Sequence, residues 1–182
     1  MAKLVIKPSK GIRGKRTVPG DKSISHRAVM LGALAKGETT IIGFLPSADC
    51  LATIDCFRKM GIAIRMTNEC KISIEGKGLF GLKKPEGILD VGNSGTTIRL
   101  LMGILAGQNF NSQITGDASI QRRPMLRVVK PLLKMGANIV GQGARGKGQE
   151  EVYPPLKIIG EKLKGINYEL PIASAQVKSA IL

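Results

Sequence analysis

Positively charged and hydroxyl side chains stand together at the start of a predicted helix, in the motif Gly20-Asp21-Lys22-Ser23-Ile24-Ser25-His26-Arg27. Lys22 and Arg27 carry fixed positive charge, while Ser23 and Ser25 can donate hydrogen bonds through their hydroxyls. The free N–H groups and the dipole of a helix start favour an anion at the same place. The motif therefore predicts a binding site for a small molecule that carries carboxylate or phosphate.

Two more helix starts and one basic turn carry similar groups. Gly92-Asn93-Ser94-Gly95-Thr96-Thr97 places small residues where backbone N–H groups can approach an anion closely. Ser174-Ala175-Gln176 precedes a third helix, and Arg122-Arg123-Pro124 offers Arg123 for bidentate pairing with an anion. Each helix start alone is compatible with an ordinary N-cap, but their repetition predicts that the three converge on one electropositive site.

Other reactive side chains are interpreted as structural. His26, the only histidine, is predicted to be packed or hydrogen-bonded, and Arg122 and Arg127 to lie on the surface. The cysteines are interpreted as reduced, buried thiols of a cytoplasmic protein: Cys50, Cys56 and Cys70. Because no spacing of acidic, histidine or cysteine residues matches a catalytic triad or a ligand set, no metal is predicted.

A repeat supplies the elements that must position these motifs. Lys59-Met60-Gly61 returns as Lys134-Met135-Gly136, an offset of 75 (59 to 134), and Gly20-Asp21 with Arg27 returns as Gly92-Asn93 with Arg99, an offset of 72 (20 to 92). A βαβαββ unit of about 70 to 80 residues is therefore used twice and begins a third time. We expect units at about 13–88, 89–164 and 165–182.

The patterns predict the elements of each unit. In the first unit we expect strands at 16–18 and 39–44, helices at 25–35 and 48–60, and a hairpin of 62–66 with 71–75. In the second we expect strands at 89–91, 111–115, 137–140 and 156–159, helices at 96–106 and 124–135, and a polar loop at 142–155. The core-facing sides are predicted from helical spacing: Ile24, Ala28, Leu31 and Ala35 on the first helix, and Ile98, Leu101, Met102 and Leu105 on the third. Pro124 is expected at the first position of its helix.

The composition favours a globular protein with an anionic partner. Hydrophobic residues make up 43% of the 182 residues, and 28 basic against 13 acidic residues give a net charge of +15. No apolar run approaches the roughly 20 residues that span a bilayer, and the N-terminus is too short for a secretory signal, so we expect a cytoplasmic protein. Because the basic residues are spread along the chain without interleaved aromatics, a small anionic substrate explains the charge as well as nucleic acid does.

Four motifs together resemble the family of 5-enolpyruvylshikimate-3-phosphate (EPSP) synthase: the segments 19–27, 92–96, 122–125 and 171–180. The resemblance implies an α/β fold of two domains, each built from three βαβαββ units around inward-facing helices, an inside-out α/β barrel. It also implies that the chain is the N-terminal portion of a longer enzyme. Residues 1–12 would be a strand of the absent second domain, and 13–182 an incomplete first domain that is truncated in its third unit.

The reaction that the resemblance implies is transfer of the enolpyruvyl group of phosphoenolpyruvate to the 5-hydroxyl of shikimate 3-phosphate, in the chorismate pathway of aromatic amino acid biosynthesis. It proceeds through a tetrahedral intermediate without metal or organic cofactor. The implied roles are catalysis and contact with both substrates for Lys22, shikimate 3-phosphate binding for Ser23, Arg27, Ser174 and Gln176, and phosphoenolpyruvate binding for Asn93, Gly95, Arg123 and Gln176. The enzyme is a glyphosate target, but Ala175 departs from the Ser-Ser-Gln of many members and leaves glyphosate sensitivity open.

Two alternatives remain at this level. The sister enolpyruvyl transferase, which acts on UDP-N-acetylglucosamine, carries a cysteine in the stretch that corresponds to 115–124, where this sequence has none. A basic nucleic-acid-binding module is the other. We expect shikimate 3-phosphate and phosphoenolpyruvate as ligands, no nucleic acid or membrane partner, and a monomeric whole enzyme. The missing C-terminal domain would be needed for catalysis, so this chain is expected to bind shikimate 3-phosphate weakly and to be inactive alone.

Overall fold

Two β-sheets and the helices packed against them make up the computed structural model, which describes residues 4–8, 11, 13–144 and 151–182. The elements follow in the order α1 (Lys22–Leu34), β1 (Lys36–Ile42), α2 (Ala48–Lys59), β2 (Ala63–Asn68), β3 (Lys71–Lys77), β4 (Leu89–Asp90), α3 (Gly95–Ala106), β5 (Ser112–Thr115), α4 (Ala118–Gln121), α5 (Leu126–Lys134), β6 (Asn138–Ala144), β7 (Glu151–Ile159) and α6 (Ala175–Ile181). The α/β character and the repeated use of helices against sheets agree with the fold class predicted from the sequence.

Short polar side chains begin five of the six helices that the described residues form. Each occupies the N-cap position and accepts a hydrogen bond from the backbone N–H three residues ahead, which satisfies one of the donors that a helix start leaves free. The caps are Asp21 on α1, Ser47 on α2, Ser94 on α3, Asp117 on α4 and Ser174 on α6. The three helix starts that were predicted from the sequence are therefore present in the structure.

Each sheet belongs to one repeat unit. In the first, the order is β1-β3-β2 and both pairings are antiparallel, which confirms the predicted hairpin. In the second, the order is β4-β5-β7-β6; β4 and β5 are parallel and the remaining pairs antiparallel. β6 and β7 extend well into 142–155, which the sequence predicted as loop, and the remaining residues of that loop, 145–150, lie outside the described residues.

The third helix occupies the centre of the core. Its predicted apolar face is fully buried and confirms the prediction for Ile98, Leu101, Met102 and Leu105. The helix packs against α2, α5 and α6. A Cβ at Gly103 would collide with the carbonyl of Ala180, so only glycine permits the close approach of α3 and α6. No helix within the described residues combines the length and the hydrophobicity needed to cross a membrane.

The predicted core face of the first helix is wrong. Ile24 and Leu31 are 69% and 68% exposed, whereas the buried side is formed by Ser25, His26, Val29, Met30, Gly32 and Ala33. The helix rotates its polar residues inward because Ser25 and His26 have partners there: Ser25 Oγ accepts from the N–H of Leu45, and His26 is hydrogen-bonded to α2. Hydrogen-bonded polar groups can occupy a core that helical spacing assigns to apolar residues alone.

Smaller differences concern element boundaries. No strand forms at 16–18, where Val18 is 79% exposed and has no apolar surface to bury. Pro124 is not the first residue of its helix, because a separate turn, α4, precedes it and α5 begins at Leu126. Cys50 and Cys56 are buried as free thiols, but Cys70 is exposed between β2 and β3.

The N-terminal residues show no strand in the part that is described, residues 4–8 and 11. Residues 1–3, 9, 10 and 12 of the predicted strand lie outside the described residues. Assignment of 1–12 to a second domain, and of 13–182 to a first domain with three units, stays a prediction.

Candidate functional site

The starts of α1 and α2 meet at an ion pair. Lys22 Nζ contacts Asp49 Oδ2, and their side chains are half exposed and about one-quarter exposed, respectively. Asp49 sits in the first turn of α2, where an acidic side chain suits the helix dipole. The sequence singled out Lys22 but missed Asp49, whose one signal is its place directly after the Ser47 cap. The ammonium group of Lys22 therefore faces solvent with one carboxylate beside it.

Arg27 links α1 to α6. Its Nε and Nη2 donate to Ser179 Oγ at 3.2 and 2.8 Å, and its Nη1 donates to the carbonyl of Ser23 at 3.1 Å. The Ser23 side chain is exposed one turn before it. The structure thus brings the predicted pair Ser23 and Arg27 together, and places both beside the third repeat unit.

The loop before α3 is held by a network around Asn93. Asn93 Nδ2 donates to Asp117 Oδ2 at 2.6 Å, and Asn93 Oδ1 accepts from Arg123 Nη2 at 3.0 Å. Arg123 also donates to Ser119 Oγ at 3.1 Å. Hydrogen bonds from the Ile120 N–H and then from Asn93 hold the pKa of Asp117 below its ordinary value. These hydrogen bonds hold the guanidinium group of Arg123 over the loop that leads to Gly95.

Two guanidinium groups stand directly above Gly95. A Cβ built on this glycine would lie 2.9 Å from Arg123 Nη1 and 3.0 Å from Arg99 Nη1, closer than side chains normally approach. Arg99 Nη1 donates to the carbonyl of Gly95 at 3.3 Å and to Gln176 Oε1 at 3.2 Å. Absence of a side chain at Gly95 therefore keeps the first turn of α3 open beneath two positive charges.

Gln176 joins this cluster from α6. Its Oε1 also accepts from Arg127 Nη2 at 3.1 Å, and its Nε2 donates to Thr96 Oγ1 at 3.1 Å. Ser174, two residues earlier, caps the helix by accepting from the N–H of Val177 at 3.3 Å. The starts of α3 and α6 thus converge, as the repeat predicted.

The arginines of this cluster are not ion-paired within residues 4–8, 11, 13–144 and 151–182: no carboxylate there contacts Arg99, Arg123 or Arg127. The nearby charge of Arg123 does help to lower the pKa of Asp117, with which it shares Asn93. Arg99 is only 8% exposed, and burial, followed by the charges of Arg127 and Arg123, lowers its pKa to about 10. It is still a cation at neutral pH, so the cluster favours an anion that can accept several hydrogen bonds.

Sequence reasoning missed two of these three arginines. Arg99 appeared only as a repeat match of Arg27, and Arg127 was interpreted as a surface residue. Arg127 is exposed, as predicted, yet it contacts Gln176. For Arg99 a signal was present in the spacing, because it follows Gly95 by one turn of α3. Arg123 precedes α5, so helical spacing does not connect Arg127 to it.

His26 is structural, as the sequence predicted. Its ring is fully buried and its Nδ1 lies 2.7 Å from Thr53 Oγ1. Burial is the largest cause that lowers its pKa to about 4; Asp49 opposes this shift, and the charges of Lys22 and Arg27 reinforce it. The imidazole is therefore neutral at pH 7.

The sequence of this chain is similar to those of known proteins. The family model of EPSP synthase (3-phosphoshikimate 1-carboxyvinyltransferase) matches residues 6–182. A 3-phosphoshikimate 1-carboxyvinyltransferase of Shouchella clausii is 57% identical over 180 residues, covering 99% of this chain and 40% of the relative. The Bacillus subtilis protein of that name is 58% identical over 171 residues, covering 94% of this chain and 38% of the relative.

A solved structure shows the same fold. EPSP synthase from Acinetobacter baumannii superimposes with a TM-score of 0.86 at 52% sequence identity, covering 93% of this chain and 37% of that chain. The chain thus spans about two-fifths of the length of the curated relatives it matches. On the match over residues 6–182, the chain belongs to the EPSP synthase family.

Proposed function

We propose that this chain forms the anion-binding half of an enolpyruvyl transferase that joins phosphoenolpyruvate to the 5-hydroxyl of shikimate 3-phosphate and releases phosphate. The observation that carries the proposal is the cluster of Arg99, Arg123 and Arg127 around Gly95 and Gln176, none of which forms an ion pair with a carboxylate among the described residues. Both substrates carry phosphate and carboxylate groups, which are the ligands that such a cluster prefers.

The proposed roles follow the positions of the side chains. Phosphoenolpyruvate binds above Gly95, where Arg123 and Arg99 can donate to its oxygens and Asn93 orients Arg123. The Gly95 N–H can donate as well if it gives up its 3.1 Å hydrogen bond to the carbonyl of Asn93. Gln176 lies between this subsite and that of shikimate 3-phosphate, because it contacts both Arg99 and Arg127 from α6.

Shikimate 3-phosphate binds along the starts of α1 and α6 in this proposal. Ser23 and Arg27 hold its carboxylate, which requires Arg27 to exchange at least one of its hydrogen bonds to Ser179. Ser174 holds the 3-phosphate at the start of α6. Lys22 contacts both substrates and is the catalytic residue, because its ammonium group can stabilise the negative charge that grows on the departing phosphate.

The reaction also needs groups that this chain does not contribute. The 5-hydroxyl adds to the central carbon of phosphoenolpyruvate while the methylene carbon gains a proton; phosphate and a proton are then lost. The family's other domain supplies the carboxylate that removes the hydroxyl proton and further basic residues that close on phosphoenolpyruvate. We therefore propose that the chain binds its ligands weakly and does not turn them over alone. The proposal includes a cytoplasmic, monomeric whole enzyme with no metal, cofactor, nucleic acid or membrane partner.

Calorimetry with a pair of neighbouring arginines tests the proposal. Arg123→Ala should weaken phosphoenolpyruvate binding roughly 10- to 100-fold, the loss expected for a charge-assisted hydrogen bond. Arg122→Ala, which removes the same charge from an exposed neighbour, should leave binding unchanged. Equal loss in both variants would show that only net charge matters and would refute the proposed site. Phosphate release by the 182-residue chain alone would refute the claim that it is inactive.

The same variants address the nucleic-acid alternative. A basic module without a built anion site would bind single- or double-stranded DNA with a steep dependence on salt, and would lose affinity similarly in both variants. Binding of shikimate 3-phosphate that Lys22→Ala and Arg27→Ala each abolish, together with no DNA binding at physiological salt, supports the transferase.

A further inference from the structure

A continuous chain of buried polar side chains runs between the two halves of the candidate site. His26 Nδ1 lies 2.7 Å from Thr53 Oγ1, which lies 2.7 Å from Thr97 Oγ1, which lies 2.6 Å from Ser94 Oγ. All four residues are 0% exposed, so they are shielded from bulk water. Short contacts between hydroxyls in a dry interior are strong, because no solvent competes for them.

The hydrogen-bonded side chains belong to three helices. His26 lies one turn after Lys22 on α1, and Thr53 lies one turn after Asp49 on α2, so both follow the ion pair that faces solvent. Thr97 and Ser94 form the first turn of α3, and Ser94 stands between Asn93 and Gly95. One end of the chain therefore lies behind the lysine and the other behind the loop that carries the arginine-facing glycine.

The hydroxyls of these side chains have acceptors in either direction. Thr53 Oγ1 and Thr97 Oγ1 each also lie 3.4 Å from the carbonyl oxygen of Asp49, which can accept from either hydroxyl. Among the described residues, His26 Nε2 is the one side-chain polar atom of the four residues without a partner. The hydrogen-bonded chain is therefore anchored to the backbone of the residue that pairs with Lys22, and it avoids most of the cost of buried unpaired groups.

We propose that His26, Thr53, Thr97 and Ser94 act together as positioning residues, which hold the first turn of α3, and with it the Gly95 N–H, in register with the Lys22–Asp49 pair. None of the four needs to touch a ligand. This proposal rests on the proposed function only for the identity of the ligands that bind near the two ends of the hydrogen-bonded chain. Its effect on the geometry of the α3 start exists in the ligand-free protein.

Two substitutions at Thr97 separate hydrogen bonding from packing. Thr97→Val keeps the volume but loses the hydroxyl, whereas Thr97→Ser keeps the hydroxyl but loses a methyl group. Positioning through the chain predicts that valine is the worse replacement, and simple core packing predicts that serine is. Ser112→Ala is the matched control, because Ser112 is a buried serine in β5 whose Oγ has no partner among the described residues.

The ligand-free measurement is amide hydrogen exchange at Gly95–Thr97 followed by NMR. Thr97→Val should raise exchange at these amides about 5- to 10-fold, the effect of one lost hydrogen bond, while Thr97→Ser and Ser112→Ala change it less than about 2-fold. Greater exchange in the serine variant than in the valine variant would overturn the proposal.

Calorimetry with phosphoenolpyruvate then tests the link to binding. Thr97→Val should weaken affinity about 5- to 10-fold and Thr97→Ser should restore most of it. Wild-type affinity in the valine variant would refute positioning while leaving the proposed function intact. Absence of binding by the wild-type chain would instead count against the proposed function, and the exchange measurement would still decide the positioning proposal.

Discussion

Replacing Gly95 with alanine tests how closely the arginines must approach the start of α3. The added Cβ would lie 2.9 Å from Arg123 Nη1 and 3.0 Å from Arg99 Nη1, about 0.4 to 0.5 Å inside ordinary van der Waals contact at 3.4 Å. Both guanidinium groups must move, and Arg99 is buried and bonded to Gln176. The new methyl group also covers the Gly95 N–H side of the subsite.

The expected cost falls on binding rather than on folding. Loss of one hydrogen bond between a charged group and a ligand costs about 1.5–3 kcal/mol, which corresponds to a roughly 10- to 100-fold weaker affinity for phosphoenolpyruvate. Alanine is the better helix former by up to about 1 kcal/mol, so the free energy of unfolding should stay constant or rise slightly. Calorimetry and urea unfolding measure the two effects separately.

Gly107→Ala, at the residue that caps the C-terminal end of α3, is the matched control, because a Cβ there meets nothing closer than 3.9 Å. It should leave phosphoenolpyruvate binding at the wild-type level. Wild-type affinity in Gly95→Ala would refute the placement of the anion above this glycine. A large loss of stability in Gly95→Ala would contradict the claim that the clash is confined to two movable guanidinium groups.

Three further expectations concern stability. Because burial depresses the pKa of His26 to about 4 against 6.5, with Asp49, Lys22 and Arg27 as its charged neighbours, the unfolded chain binds the extra proton between these values. The stability associated with the neutral, buried His26 is fully present above pH 6.5 and is lost as the pH falls through 4. The loss in the free energy of unfolding should reach up to roughly 3 kcal/mol in urea unfolding. A pH profile of His26→Gln as steep as that of wild type would contradict this expectation. Removal of the α1 cap by Asp21→Ala should lower the free energy of unfolding by about 1 kcal/mol, measured by urea unfolding; no change would show that the cap is dispensable. Met30→Ala should cost about 2–5 kcal/mol and Leu31→Ala less than about 1 kcal/mol in the same assay, and the opposite order would restore the core face predicted from the sequence.

Local signals in the sequence predicted most of the elements. Caps and glycine stops located α2, the alternation of apolar residues located the β2–β3 hairpin, and the 72- and 75-residue offsets showed that the units repeat. The three helix starts of the candidate site could also be predicted from local signals, because residues that cap helices and residues that bind anions are the same small polar types.

Tertiary partners explain what the sequence left undetermined. The inward face of α1 could not be predicted, because the partner that makes a buried His26 acceptable, Thr53, lies 27 residues away. The hydrogen bonds of Arg99 and Arg127 to Gln176 join residues that are 77 and 49 positions apart. Hydropathy and periodic spacing report on neighbours within one element, so they could relate Arg99 to Gly95 but could not identify Gln176 as a partner of either arginine.

The contact of Gly103 with Ala180 determines how accurately the site can be assembled. Gly103 lies four residues after Arg99 on α3, and Ala180 lies four residues after Gln176 on α6, so the backbone contact and the hydrogen bond are separated by one turn on both helices. A slip of α6 by one residue would rotate Gln176 by about 100° and shift it by about 1.5 Å. Gly103 thus sets the position of α6 along α3. A larger residue at 103, far from any ligand, would displace Gln176 relative to Arg99 and weaken ligand binding, although no polar group would have been changed.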